Sequence, residues 1–321
     1  MITEAIQISS PALVAAAPRF DPRSAQAFVL KFTSPETRRS YARAIQDFFE
    51  AAGWPHQSEI TRAHVIAYRE RLTARSLRPR TVAARLAALR SYFDYLVADG
   101  ALDRNPASSK LVSPPKISRV PAGRALSPAQ VRNLLAGCDR RTPDGARDYA
   151  MMLLMLRLAL RLSEVCRVRT SSVAPGAAGW VLTMKIKGGR EERWPLPQDV
   201  KTAVNDYLRL DAARRRALGT GGPDAWVFQP HRNHRTLVHD KPVSQRHVEK
   251  IVSKWADYAG LGKVTPHDLR RTCLTLMLKD HPAQKVQRVS KHKDLNTLMG
   301  YNHDRENLDD NPVNTFTYDE P

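Results

Sequence analysis

Five side chains in three separated segments have the types and spacing to act on an anion. Arg161 ends an apolar stretch, where a cation is costly to bury unless an anionic partner neutralises it. His267 and Arg270 lie three residues apart and share one face on the first turn of a predicted helix, where free N–H groups favour an anion. His292 is followed nine residues later by Tyr301. Together these residues predict an anion site that also contains titratable groups.

A sixth candidate, Lys187, lies at the tip of a predicted hairpin. Residues 180–186 and 192–196 alternate as strands do, and two glycines after the lysine allow a tight turn that can approach a backbone closely. Each of these residues could also have no role in function. Lys187 could simply be solvated, and Arg161 could pair with Glu164 or cap the C-terminus of its helix.

The elements that must position these residues are mostly helices, so the predicted fold class is mainly α. Three helices that begin near Ser34, Thr61 and Arg80 predict a small all-helical domain over residues 26–106. Residues 1–25 contain three prolines and no sustained period, which predicts a flexible arm.

The remainder predicts a linker, a larger domain and a tail. Residues 107–126 are basic and rich in proline, which favours an extended interdomain linker. Residues 127–302 predict helices around one small antiparallel sheet, including an apolar helix over 146–161. Residues 303–321 form an acidic tail.

The charge of the chain indicates a polyanionic partner, with double-stranded DNA the leading candidate. The formal charge is +19 and the pI about 10.2. Residues 1–302 carry +24, whereas residues 303–321 carry one basic and six acidic side chains, a balance of −5. The alternative is a generally basic, solvated surface that has no defined binding site for nucleic acid. The cations predicted to contact phosphates are Arg78, Arg80, Arg85, Arg90, Lys110, Lys116 and Arg119.

Composition argues against several other classes of protein. No apolar run approaches the roughly 18 residues of a membrane span, and no basic region precedes the apolar residues 11–17 as in a signal peptide. Three scattered cysteines do not make a disulfide framework. These features predict a cytoplasmic protein. Arginine outnumbers lysine 37 to 14, which hints at a bacterial, phage or plasmid source.

Two further features compete for a function. His231, His234 and His239 could suggest a zinc site, but their neighbours are cationic and no cysteine accompanies them, so we expect a phosphate-facing loop and no metal or cofactor. Tyr318 is a second late tyrosine, but it lies in the acidic tail at a different spacing from His292.

Taken in order, these segments resemble the tyrosine recombinase (phage-type integrase) family. Its pattern is an arginine within Leu-Arg-x-Ser-Glu, a hairpin lysine, His-x-x-Arg, a His or Trp, and a tyrosine nine residues on. Residues 81–96, followed by Asn105-Pro106, are similar to the last helix of the family's core-binding domain. Two departures occur: the usual glycine before the first leucine is Ala159, and the usual Leu-Gly before the later histidine is Ser290-Lys291.

The similarity covers about residues 30–302. Within the family, the chain resembles the Xer-like and Cre-like members, which lack an arm-binding domain. The resemblance implies an N-terminal SAM-like core-binding domain and a C-terminal, mostly helical catalytic domain of the DNA breaking-rejoining type. The implied activity is site-specific recombination (integration, excision or resolution) through a covalent 3′-phosphotyrosine, which needs neither metal nor ATP.

The resemblance also implies roles for the site residues. A tyrosine with a pKa of about 10 needs a proton acceptor or a cationic setting, and two guanidiniums can bind the extra charge on the phosphate. A histidine would move the proton of the nucleophile, a second would hydrogen-bond the phosphate, and the lysine would protonate the leaving 5′-oxygen. The matching residues are Tyr301 as nucleophile, with Arg161, Lys187, His267, Arg270 and His292.

The implied partners are DNA and further copies of the chain. Exchange between two duplexes needs four active sites, so the resemblance implies a homo-tetramer on DNA and a monomer or dimer when free. The acidic tail could dock on a neighbouring subunit or fold onto its own basic cleft. Two alternatives stay open from the sequence: a type IB-like topoisomerase and a non-catalytic DNA-binding regulator.

Overall fold

Helices predominate in the structure, a computed structural model that describes residues 20–117, 123–186, 189–232, 236–237, 241–292 and 294–301. The chain divides into two units, residues 1–118 and 119–321. The division falls inside the predicted linker of residues 107–126. None of the helices in the described ranges combines the length and apolar character that crossing a bilayer requires.

The N-terminal unit is entirely helical within its described residues. Its α-helices are α1 (Pro22–Leu30), α2 (Pro35–Ala52), α3 (Arg62–Ala74) and α4 (Pro79–Ala98), with a 3-10 helix at Gln57–Glu59. Ser34 begins α2 as predicted, because its hydroxyl accepts the Thr37 N–H while proline occupies the first helical position. Gly53 ends the same helix with a φ of 79°, a left-handed conformation that glycine adopts without strain.

The first helix is a correction to the predicted arm of residues 1–25. Proline was interpreted there as a helix breaker, but Pro22 occupies the first turn of α1, where its missing N–H costs nothing. The Asp21 side chain accepts the Arg23 N–H and caps the helix. Phe28 is fully buried against Tyr92 of α4, so residues 22–25 belong to the helical unit.

A core of aromatic and aliphatic side chains holds the four helices together. Phe48 makes edge-to-face contacts with Phe49, Tyr68 and Phe93, all of them buried. The start of the predicted extended linker also belongs to this unit. The Val112 N–H donates to the Ser108 carbonyl in a turn, and Val112 is buried in the same core.

The C-terminal unit surrounds a small antiparallel sheet with helices, as the fold class requires. Its helices are α5 (Pro128–Ala136), α6 (Pro143–Leu158), α7 (Leu162–Val165), α8 (Gln198–Ala217), α9 (Gln245–Tyr258), α10 (Pro266–Asp280), α11 (Ala283–Ser290) and α12 (Leu295–Met299), with a 3-10 helix at Thr170–Ser172. Its strands are β1 (Val173–Gly176), β2 (Gly179–Lys185), β3 (Glu191–Pro195), β4 (His231–Arg232) and β5 (Thr236–Leu237).

The sheet contains one strand more than the predicted hairpin. Strands β1, β2 and β3 pair in that order, with Val173 opposite Leu182 and Leu182 opposite Trp194. Leu182 and Trp194 are buried on the face of the sheet that packs on the core. Strand β1 was missed because Val173-Ala-Pro-Gly176 is short and contains turn residues.

Helix α6 forms the centre of this unit and ends earlier than predicted. Residues 150–156 are all buried, so the apolar stretch is a core helix. Instead of running to residue 161, it ends at Leu158, because Ala159 takes a left-handed conformation with a φ of 49°. Arg161 therefore lies outside α6, at the residue that immediately precedes α7, where its backbone N–H donates to the Glu164 side chain.

Candidate active site

The early end of α6 frees Arg161 to enter a cavity. Its backbone N–H donates to Glu164 Oε2 at 2.7 Å, and its Nη1 donates to Oε1 of the same carboxylate at 3.0 Å. The Glu164 side chain is 9% exposed and the Arg161 side chain 40%. The pairing with Glu164 that the sequence allowed thus occurs, and it fixes a guanidinium that keeps part of its surface open.

Arg270 reaches the same cavity from α10. Thr265 and Asp268 form a reciprocal capping box at the start of this helix, which sets the first turn that carries His267. The buried Arg270 guanidinium donates to the carbonyls of Ala159 and Ser290, the latter at 2.6 Å. The left-handed turn at the end of α6 thereby provides a partner for an arginine of α10.

The electrostatics of Arg270 favour an anion. Burial, followed by the neighbouring charge of Arg161, lowers the pKa of Arg270 to about 10, so it stays protonated at neutral pH. Two guanidiniums that destabilise one another in a partly buried cavity bind an anion more strongly than either would in water. The charges around Arg270 therefore favour binding of an anion in this cavity, as the sequence predicts.

Tyr301 also lines this cavity, and its ring is buried. It is 4% exposed, and its hydroxyl lies 3.5 Å from Nε2 of His267. The His292 ring stacks on the tyrosine ring with centroids 5.7 Å apart and planes 20° apart. The backbone carbonyl of Tyr301 accepts the Thr275 hydroxyl at 3.2 Å. The predicted nucleophile is thus in hydrogen-bonding reach of a possible proton acceptor.

The surroundings favour the neutral form of both histidines. Burial and, next, the charge of Arg270 lower the pKa of His267. The same two causes lower the pKa of His292 to about 4. Arg270 Nη2 lies 3.4 Å from His292 Nε2, which places a guanidinium donor beside that ring nitrogen. A neutral His267 can take a proton from Tyr301.

One cavity of about 330 Å³ is lined by all five predicted side chains: Arg161, His267, Arg270, His292 and Tyr301. Glu249 is the only carboxylate among the described residues that line it. Lys187 lies outside the described residues, as do Tyr318 and the tail 303–321. The hairpin that carries Lys187 is described on both sides, where the Ile186 N–H donates to the Arg190 carbonyl at 2.9 Å.

A larger groove, of about 1070 Å³, continues from this cavity, since Arg161 and Ser163 line both. Among its cations, only Arg161 is a site residue predicted from the sequence. No local pattern marks Arg167 and Arg169, because Arg167 lies in the turn that follows α7. The basic residues that line the groove are Arg161, Arg167, Arg169, Lys185, Arg190 and Lys291. Carboxylates also line it, and Asp224 pairs with Arg169 at 2.8 Å.

The predicted DNA-contact residues of the N-terminal unit differ in their surroundings. Arg78, Arg80, Lys110 and Lys116 are exposed, whereas Arg119 lies outside the described residues.

Two of these predicted contacts have partners within the N-terminal unit. The Arg85 guanidinium contacts the carboxylate of Asp47 and lies 3.3 Å from the Tyr68 hydroxyl. Arg90 donates to the carbonyls of Ala107 at 2.9 Å and Val112 at 2.8 Å. Arg85 and Arg90 therefore have structural partners that the sequence did not indicate.

The proposed zinc alternative is not assembled in the described part of the chain. His234 and His239 lie outside it, and His231 begins β4. The described residues contain no group of three or more His, Cys, Asp or Glu side chains that could hold a metal ion. The three cysteines are buried free thiols.

The two departures from the family pattern share a backbone conformation. Ala159 and Lys291 both have positive φ, 49° and 55°. A side chain at such a position costs of the order of 1 kcal/mol relative to glycine, which explains why glycine suits these positions. The turns form here all the same, and they present Arg161 and His292 to the same cavity.

Comparisons with known proteins agree with this architecture. Residues 124–307 match the sequence model described as "Phage integrase family", and residues 28–100 match "Phage integrase, N-terminal SAM-like domain". Tyrosine recombinase XerC of Salmonella typhi is 31% identical over 281 residues, covering 84% of this chain and 85% of its own. Tyrosine recombinase XerD of Listeria innocua is 29% identical over 227 residues, covering 70% and 72%.

Solved structures show the same fold. A lambda integrase (residues 75–356) dimer bound to a COC′ core site superposes with a TM-score of 0.67 at 16% identity, covering 88% of this chain and 94% of that one. The XerH site-specific recombinase bound to a palindromic difH substrate gives 0.67 at 17% identity, covering 92% and 90%.

The fold and these similarities define a DNA strand breaking-and-rejoining enzyme of the tyrosine recombinase class, which carries out site-specific recombination. The chain belongs to the phage integrase family.

Proposed function

We propose that Tyr301 cuts DNA by attacking a backbone phosphodiester. The phenolic oxygen bonds to phosphorus and the bond to the 5′-oxygen breaks, which leaves a 3′-phosphotyrosine and a free 5′-hydroxyl. The observation that carries this proposal is the position of the Tyr301 hydroxyl, 3.5 Å from a neutral histidine in a cavity that two arginines also line. Attack by another 5′-hydroxyl reverses the step and conserves the bond energy, without ATP or metal.

Each neighbouring side chain has a defined task in this step. His267 accepts the phenolic proton, which its lowered pKa permits at neutral pH. Arg161 and Arg270 bind the nonbridging oxygens as negative charge grows on them. His292 orients the phosphate, and Lys187 donates a proton to the leaving 5′-oxygen.

A nicked suicide substrate that carries the cognate site tests the nucleophile. Cleavage next to the nick releases a short fragment, so the covalent adduct accumulates. Tyr301→Phe should abolish the adduct and leave DNA binding largely intact, because only the hydroxyl is lost. Tyr318→Phe is the matched control and should retain it. An adduct that survives Tyr301→Phe and disappears with Tyr318→Phe would refute the assignment.

The DNA path follows from the distribution of cations. We propose that residues 26–106, the basic linker 107–126 and the catalytic residues 127–302 all contact one duplex. In the C-terminal unit, the groove with Arg167, Arg169 and Lys185 supports a path for the backbone on either side of the cut phosphate. Neutralising each of these cations should weaken binding for all sequences and reduce its dependence on salt.

The active assembly is proposed to be a tetramer on DNA, formed from a free monomer or dimer. Support comes from the solved lambda integrase tetramer bound to a Holliday junction, which has the same fold. We propose that the acidic tail 303–321 docks on a neighbouring subunit, and that the enzyme acts in the cytoplasm on nucleoid DNA, since its named relatives are bacterial.

Deleting residues 304–321 tests the role of the tail. Loss of the tetramer with cleavage retained supports docking between subunits. Tighter DNA binding by the monomer would instead show that the tail covers its own basic cleft. No change in either property would refute both ideas.

A further inference from the structure

The C-terminal end of α11 is attached to strand β3 just before His292. The indole N–H of Trp194 donates to the Val289 carbonyl at 2.9 Å. Two residues later, Nζ of Lys291 lies 2.9 Å from Oε2 of Glu192 and 5.2 Å from the centroid of the Trp194 ring. One strand thus holds both the last turn of α11 and the residue that precedes the histidine.

Lys291 keeps a long side chain at a position that suits glycine. Its φ of 55° is left-handed, so the Cβ carries a conformational cost. The side chains of Lys291 and Glu192 are only 16% and 15% exposed, so water screens their ion pair poorly. Lys291 also lowers the pKa of Glu192, which keeps the carboxylate ionised. A strained position with a shielded, charge-paired side chain indicates a function for that side chain.

We propose that Lys291 is a positioning residue for catalysis. Its ion pair with Glu192 fastens the end of α11 to β3 and thereby holds the His292 ring against Tyr301 and Arg270. This inference rests on the proposed function, since it requires that His292 takes part in cleavage.

The contacts of Glu192 allow a clean test. Its second oxygen, Oε1, pairs with Arg190 at 2.5 Å. Lys291→Met therefore leaves Glu192 with a cationic partner, retains the alkyl stem beside Trp194 and does not change the backbone requirement. Lost activity in this variant reports the ion pair rather than a buried unpaired charge.

A double-mutant cycle on the full-length protein with the suicide substrate measures the coupling. The rate constant for covalent adduct formation at saturating DNA is compared for the wild type, Lys291→Met, His292→Ala and the double variant. We expect Lys291→Met to lower the rate about tenfold, the scale of a small misplacement of a catalytic group, and to have little further effect beside His292→Ala. Lys291→Arg, which keeps a cation opposite Glu192, should retain most of the rate.

Other outcomes would overturn the inference in distinguishable ways. Independent, multiplicative losses would show that Lys291 does not act through His292, while the proposed role of His292 would stand. Weaker DNA binding with a wild-type rate at saturating DNA in Lys291→Met would make Lys291 a phosphate contact instead. A wild-type rate for His292→Ala would refute both the role of His292 and the inference. Absence of any adduct in the wild type would refute the proposed function itself.

Discussion

Two arginines, one in each unit, make almost the same hydrogen bonds but have different surroundings. Arg90 donates to the carbonyls of Ala107 and Val112, and Arg270 donates to those of Ala159 and Ser290. Each therefore ties a helix to a segment distant in sequence, and each has a pKa lowered first by burial.

The two arginines differ in the sign of the charge beside them. The carboxylate of Asp94 raises the pKa of the Arg90 guanidinium, in opposition to burial. The corresponding neighbour of Arg270 is a second cation, Arg161, which adds to the effect of burial. Arg90 therefore has an anionic neighbour within its unit. Arg270 has a second guanidinium beside it as well as the Glu164 carboxylate that pairs with Arg161, and the extra positive charge favours a further anion. The sign of this neighbouring charge, and not the hydrogen bonds, distinguishes Arg90 from Arg270.

The largest expected effect is that of Arg270→Lys on the rate of adduct formation, with Arg90→Lys as the matched comparison. Arg270→Lys keeps the charge but loses the planar pair of donors, so it cannot bind both carbonyls and a phosphate oxygen. We expect the rate of adduct formation to fall about 10²–10³-fold. Arg90→Lys should leave this rate within a factor of about two and lower the free energy of unfolding by about 1 kcal/mol. The suicide-substrate rate and denaturant unfolding measure the two effects, and equal losses of rate in both variants would contradict the distinction.

The sequence allowed prediction of the site because its residues match the ordered pattern of one family. The order and spacing from Arg161 to Tyr301 identified five side chains that the fold brings to one cavity. The same reasoning could not separate Arg85 and Arg90 from Arg78 and Arg80, because their partners lie far away in the chain: Asp47 for Arg85 and the Ala107 and Val112 carbonyls for Arg90.

The missed parts of the fold have local causes. Helix α1 begins at Pro22 after a segment with other prolines, and only its burial against α4 reveals it. The end of α6 at Leu158 was unpredictable because Ala159 is a good helix former that adopts a left-handed turn here. The carbonyl of that turn binds Arg270, a residue 111 positions later, so tertiary contacts override local preference.

The next effect concerns pH and tests whether the cationic surroundings keep His267 neutral. Burial and Arg270 lower its pKa below the ordinary value of about 6.5, so its base form persists to lower pH. As the pH falls from 8, the rate of adduct formation should decline with a midpoint below 6.5, because protonation removes the acceptor, by up to about tenfold per unit. Single-turnover rates across this range check the profile. A midpoint at or above pH 6.5 would contradict the proposed protonation state.

A smaller effect is expected in the N-terminal unit, from Arg85→Ala. The Arg85 and Asp47 side chains are 21% and 24% exposed, and the same carboxylate accepts the Tyr68 hydroxyl at 2.7 Å. Loss of the guanidinium removes the main cationic partner of Asp47, which should lower the free energy of unfolding by about 1–2 kcal/mol. Denaturant titration measures this change. Unchanged stability with a large loss of DNA affinity would assign Arg85 to DNA instead.

The smallest expected effect is that of Arg80→Ala, the exposed counterpart on the same helix. Arg80 lies in the first turn of α4, where the helix dipole does not favour a cation, so stability should change by less than about 0.5 kcal/mol. If it contacts a phosphate, its removal should weaken binding to specific and random duplexes by a similar factor and reduce the salt slope by about 0.9. Binding titrations at several salt concentrations measure both quantities. An unchanged salt slope would show that exposure at this helix end does not bring Arg80 to the backbone, whereas loss of affinity for the specific site alone would indicate a base contact.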